Sequence, residues 1–243
     1  MLIEACVDTL ASAINAERGG ADRVELCDNL GDAGTTPSHG TLRLALEQLT
    51  ILVFPIIRPR GGGFVYDEYD TAVMRADLAH ARDLGAPGAV IGAITPDGDV
   101  HEELIATLRA DAPDMQLTFH RAFDVCRDPH TALATLIRLG IDRVLTSGQA
   151  ADAWEGRELI AELIVAAGGK IAVMPGGGVN EQNAGDLVRA TGALELHVRG
   201  ATLRRDAGPT RAIPFRKAPP ADELARGVTD PLRVAAIRRA VAG

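Results

Sequence analysis

The sequence predicts a single (β/α)8 barrel, an α/β TIM-barrel fold, and three observations carry that expectation. Short apolar runs rich in Val, Ile and Leu alternate with longer amphipathic stretches, strand then helix, about eight times in about 200 residues. No linker divides that span, and 243 residues suit one α/β barrel, which typically needs about 250. One unit also echoes itself: Arg18-Gly-Gly-Ala-Asp-Arg-Val-Glu-Leu-Cys27 resembles Arg138-Leu-Gly-Ile-Asp-Arg-Val-Leu-Thr-Ser147. The segments at 84–92 and 191–197 share that outline of a helix end, a glycine suited to a left-handed cap, and a strand about three residues on. Repetition of one unit favours a closed barrel over the alternative, a doubly wound sheet whose strand order reverses in the middle.

In chain order, strands are expected at 2–7, 23–27, 51–57, 89–93, 116–120, 143–146, 170–174 and 194–198, where branched aliphatics concentrate. Between them, 9–17, 69–84, 102–110, 129–139 and 155–167 read as helices, with solvated charged faces such as Arg75-Ala-Asp77 and Glu102-Glu103. From Ala201 the texture turns to Arg, Pro, Ala and Gly, with Ala218-Pro-Pro-Ala221 in its midst, so 201–228 is expected to be a long loop or arm. A last helix opens at Asp230-Pro231, an N-cap followed by proline at the first helical position. Its apolar residues Leu232, Ala235, Ala236 and Val241 are expected to close the barrel. The whole chain, 1–243, is expected to be one domain.

Composition bounds the function. A hydrophobic fraction of 47% supplies a core, and a formal net charge of −8 argues against binding nucleic acid through bulk charge. No apolar run approaches the roughly 20 residues that cross a bilayer, so no membrane partner is expected. The start, MLIEACVDT, lacks a basic region before an apolar stretch, and three widely spaced cysteines suggest reduced thiols in a cytoplasm.

Strand parity is the most informative signal. Side chains alternate faces, so if Ile3, Ala5 and Val7 meet the helices, Glu4 and Cys6 point into the barrel. The same parity sends Glu25 and Cys27 inward from strand two, Thr118 and His120 from strand five, and Glu195 and His197 from strand eight. Arg58 and Arg60, two apart after strand three, share a face. Such a lumen is unlike the branched aliphatic filling of a structural barrel. Buried carboxylates persist when paired or bound to a ligand. One reading is therefore a structural network in which Arg58, Arg60 and Arg121 neutralise Glu4, Glu25 and Glu195; the other is a polar pocket at the carboxyl ends of the strands.

Glycine-rich turns follow the strands at the same end. They are 31–40 after strand two, 58–66 after strand three, Ser147-Gly148 after strand six, Gly176-Gly177-Gly178 after strand seven and Gly200 after strand eight. Exposed backbone N–H groups at such turns suit an anion, with Arg58 and Arg60 as a clamp. Glu25, His120, Arg121 and His197 are the candidate acid/base and catalytic group. Cys6 and Cys27 stand at equivalent points of neighbouring strands, about 4.8 Å apart, where two thiolates can share a soft cation such as Cu(I). Cys126, in Phe123-Asp-Val-Cys-Arg-Asp128, is expected to pack against a helix start.

Taken together, Ala21-Asp-Arg-Val-Glu-Leu-Cys27, Thr36-Pro-Ser38 with Gly40, and Pro55-Ile-Ile-Arg-Pro-Arg-Gly-Gly62 with Phe64 and Tyr66 resemble the CutC family, described as copper homeostasis proteins. The resemblance continues through Phe119-His-Arg-Ala-Phe-Asp124, Arg143-Val-Leu-Thr-Ser-Gly-Gln149, Gly176-Gly-Gly-Val179 and Glu195-Leu-His197. It implies a TIM barrel, a cytoplasmic homodimer or higher homo-oligomer, and a role in copper handling that maps onto Cys6 and Cys27. The family often carries a further cysteine beside the first, where this chain has Ala5 or Val7. Glu25, Arg58, Arg60, His120 and Arg121 are not explained by copper. They leave two alternatives open: an enzyme acting on a small phosphorylated or carboxylated metabolite by acid/base chemistry, and a non-catalytic metabolite or metal sensor.

Overall fold

The computed structural model describes residues 1–208, 222 and 224–242. Eight parallel strands alternate with helices: β1 (Leu2–Val7), α1 (Leu10–Arg18), β2 (Arg23–Leu26), α2 (His39–Gln48), β3 (Leu52–Pro55), α3 (Glu68–Asp83), β4 (Gly88–Ile91) and α4 (Glu102–Asp111). They continue with β5 (Gln116–Phe119), α5 (Pro129–Arg138), β6 (Arg143–Thr146), α6 (Arg157–Ala167), β7 (Ala172–Pro175), α7 (Ala184–Thr191) and β8 (Glu195–Val198). The strands form two arcs, β3-β2-β1-β8 and β4-β5-β6-β7. The arcs meet through a parallel bridge from Ile56 to Val90, with Ile57 N–H donating to the Val90 carbonyl at 2.7 Å. At the other seam β7 and β8 lie side by side without a continuous ladder among the described residues. The architecture is the expected α/β barrel of (β/α)8 type.

Helix starts follow local chemistry. Thr9, Ser38, Asp67, Asp128 and Asp230 each cap a helix by accepting an N–H of its first turn, and Pro129 and Pro231 take the first helical position. The core lies between strands and helices, where Ile3, Ala5, Val24, Leu26, Leu117, Phe119 and Leu196 are fully buried. Each large aliphatic there contributes about 1.5–3 kcal/mol relative to an exposed position. No helix among the described residues is long and apolar enough to cross a membrane.

Two expectations about the chain's end need correction. The segment 201–228 is not all loop: Ala201–Arg205 (β9) pairs antiparallel with Ala225–Thr229 (β10), and Ala218–Ala221 lies outside the described residues. The last helix, α8 (Pro231–Ala240), buries Val234 and Ile237, whereas Leu232 is exposed. The seal is set by where α8 meets Gly19: a Cβ there would lie 2.6 Å from Val234 Cβ and 2.7 Å from the Pro231 carbonyl. That close approach turns the Val234–Ile237 face inward.

Candidate functional site

Parity places the polar side chains inside, and register decides which of them meet. Glu4 stands beside Arg23 on β2 and His197 on β8, and Cys6 stands beside Glu25. At the lower level, the Glu4 carboxylate accepts from Arg23 and from His197 Nδ1 (2.8 Å). Glu195 accepts from Arg23 at 2.8 Å and from Arg143. The structural network foreseen for the acids therefore exists with different cations. Arg23 and Arg143 neutralise Glu4 and Glu195, while Arg58, Arg60 and Arg121 do not. Burial alone would raise the Glu4 pKa, but Arg23 and His197 outweigh it and bring it to about 2. Breaking such a buried pair by removing one partner typically costs about 3–5 kcal/mol.

Above this floor sit the thiols. Cys6 Sγ and Cys27 Sγ are 3.9 Å apart, although register puts Cys6 opposite Glu25, so the two are not at equivalent points as parity alone suggested. Hydrogen bonding from Cys27 holds Cys6 well below the ordinary thiol range, helped by His197, while the same interaction and burial hold Cys27 well above it. Burial would strip His197 of its proton. The hydrogen bonds to Cys6 and Glu4 and the charge of Glu25 prevail, and His197 is raised well above its usual value. Glu25 Oε2 lies 3.7 Å from His197 Nε2, and burial together with Cys6 pushes its carboxyl well above the usual range. Cys6 is thus pushed down while Cys27, Glu25 and His197 are pushed up, so the four groups share protons within one small cluster. Donor atoms of Cys6, Glu25 and Cys27 all lie within 4.8 Å of one another, which is compatible with a metal ion.

These groups open onto a cavity of about 920 Å³ at the carboxyl ends of the strands, whose lining includes Cys6, Glu25, Arg58, His120, Arg121 and His197. Gly177, Gly178 and Gly200 also line it, but Ser147, Gly148, Gly176, Arg60 and Cys27 do not. Arg60 is the clearest departure: it is held at the exposed rim by Asp70 (2.7 Å) and stacks over Tyr66, so it forms no clamp with Arg58. Ser147 is absorbed by Asp124, Arg121 and the Ala150 carbonyl. Gly148 packs on the backbone of Gly156, and Gly176 packs on Leu145 and His197. Cys126 is buried, its thiol donating to the Ala122 carbonyl.

His120 is buried, and its Nδ1 accepts the Ala122 N–H at 3.0 Å. Burial and then Arg58 lower its pKa to about 3, so the ring is neutral with its proton on Nε2. Sequence reasoning passed over Arg23, Arg143 and Asp124. Parity was available for the first two, since Arg23 shares a face with Glu25, and Arg143 with the cavity-lining Leu145.

The class of protein is a (β/α)8 barrel with Cys6, Glu25 and His197 meeting in a cavity that Arg58 and Arg121 also line. The chain belongs to the CutC family, whose profile matches residues 1–202. It is 49% identical over 207 residues to the human copper homeostasis protein cutC homolog, covering 85% of this chain and 76% of that protein. It is 45% identical over 246 residues to the family protein CutC of Chromobacterium violaceum, covering 99% and 98%. The crystal structure of CutC from Streptococcus agalactiae superposes with a TM-score of 0.79 at 34% identity, over 82% of this chain and 98% of that one. N-(5'-phosphoribosyl)anthranilate isomerase from Pyrococcus furiosus, at 16% identity and TM-score 0.57 over 100% and 98%, shares the fold alone.

Proposed function

We propose that this chain acts in copper homeostasis by binding Cu(I) between Cys6 and Cys27. The observation that carries the reading is the thiol pair itself, 3.9 Å apart beside the cavity floor. With metal–sulfur bonds of about 2.3 Å, that separation corresponds to a sulfur–metal–sulfur angle of about 115°, close to trigonal and open to a third donor. Soft thiolates select Cu(I), and the name borne by the human relative agrees with that cargo.

Charge balance supports a monovalent ion. Binding expels the Cys27 proton, and two thiolates with Cu(I) leave one negative charge, which the His197 cation offsets. A divalent ion at the same thiolates would leave an uncompensated positive charge in a buried place. The Glu25 carboxyl adds a hard oxygen donor that contributes little to a soft ion.

The test is competition with a chromophoric Cu(I) chelator under reducing, anaerobic conditions. Wild type is expected to withdraw Cu(I) and to prefer it to Zn(II), and Cys6→Ser or Cys27→Ser to lose at least 100-fold in affinity. Unchanged affinity in both variants removes the site.

A further inference from the structure

The floor of the cavity accounts for the thiols but not for its wall, and we propose that the wall formed by Arg58, Phe64, His120 and Arg121 binds a small organic oxyanion. This reading goes beyond copper and does not depend on it. A single ion needs a small fraction of about 920 Å³, a volume in the range of small-molecule sites.

Charge is the first argument. The chain carries a net charge of −8, yet the cavity is lined by Arg58, Arg121, Arg199 and Arg233, with Glu25 as the one acid among the described lining residues. Arg233 pairs with Glu181, and Arg121 with Asp124. Arg58, only 2% exposed, has no carboxylate within ion-pair distance among the described residues. Its Nη1 and Nη2 donate to the carbonyls of Asp32 (2.7 Å), Gly34 (2.6 Å) and Gly62 (2.7 Å). Carbonyl dipoles satisfy those donors but do not cancel a buried positive charge.

Unmet hydrogen bonding is the second. Arg58 Nε and His120 Nε2 are buried and have no hydrogen-bond partner among the described residues. Native interiors rarely leave such donors unpaired, each costing about 1–3 kcal/mol, so they mark places where a ligand completes the structure. Both side chains are held in place: Phe64 lies 5.1 Å from the Arg58 guanidinium and 4.9 Å from the His120 ring. Gly92 makes room for the imidazole, since a Cβ there would lie 2.4 Å from its Cε1. Arg121 is fixed by Asp124 and Ser147 through Nε and Nη2, leaving Nη1 beside Gly177. Apolar Leu30, Ile56 and Leu145 complete the lining and suit a carbon body rather than a bare inorganic ion.

The ligand is thus a compact molecule carrying a carboxylate or a phosphate ester, and two probes distinguish these: succinate and glycerol 3-phosphate. Each is titrated by calorimetry and thermal shift into the full-length protein, with potassium chloride at equal ionic strength as control. One probe is expected to bind saturably and raise the melting temperature with its concentration. His120→Ala and Arg121→Ala, checked for folding by circular dichroism, should each weaken it at least tenfold. Failure of both probes to exceed the chloride control overturns the proposal, as does undiminished binding by the two wall variants. The copper reading is read separately, because Cu(I) binding should vanish in the Cys6→Ser/Cys27→Ser protein and survive Arg121→Ala.

Discussion

At the scale of single residues, the two cavity histidines shift in opposite directions because their neighbours differ. His197 contacts two acids and a thiol, whereas His120 faces Arg58, Phe64 and the Ala122 amide. His120 has a folded pKa of about 3, below the ordinary 6.5, so the unfolded chain takes up its proton first as pH falls. Its contribution to stability is complete above about 6.5 and declines toward 3, by up to about 1.4 kcal/mol per pH unit. Glu4 adds a second loss between 4.5 and about 2. The His197 contribution, raised in the folded state, is already complete below 6.5 and is lost only as pH rises through its folded value. Glu25, also raised, acts against His120 on acidification, so the useful reading is a difference. Urea denaturation from pH 6.5 to 4.5 should show His120→Gln losing less stability than wild type. Parallel pH profiles would contradict the assigned charge state.

At the scale of elements, parity was legible and pairing was not. Strands one, two, five and eight gave up their inward faces to a two-residue count, and Cys6, Glu25, His120 and His197 all line one cavity. Arg60 escaped the count because β3 ends at Pro55, and beyond a strand alternation no longer constrains direction. The β9–β10 ribbon was hidden by its composition, since Arg- and Gly-containing edge strands lack the apolar signature of barrel strands. The closure by α8 rests on close approaches to Gly19, Gly185 and Gly200. Gly19 adopts φ −78°, which alanine tolerates, so Gly19→Ala tests packing alone. It should lower unfolding free energy by about 1–3 kcal/mol through overpacking against Val234 and Pro231. Wild-type stability would show that α8 shifts without cost.

At the scale of the whole molecule, the barrel's floor is an ion-pair network made by protein side chains alone. Glu4, Arg23, Glu195, Arg143 and His197 link β1, β2, β6 and β8 across the lumen. The fold therefore does not wait on copper, unlike small domains in which metal binding is the folding energy. Exhaustive treatment with a Cu(I) chelator should leave the circular dichroism spectrum unchanged. Added Cu(I) should raise the melting temperature only as mass action requires. Unfolding on chelation would instead make the metal structural.

The sequence alone determined the barrel, the inward parity of its thiols, acids and imidazoles, and the family resemblance, because side-chain alternation and helix capping are set within a few residues. Tertiary structure alone decided that Arg23 and Arg143, rather than Arg58 and Arg121, answer the buried acids. It also decided that Arg58 is left without a counter-charge among the described residues. Which cation meets which anion depends on stagger between strands far apart in the chain, and electrostatic compensation is settled by distances of a few ångströms that no local pattern encodes.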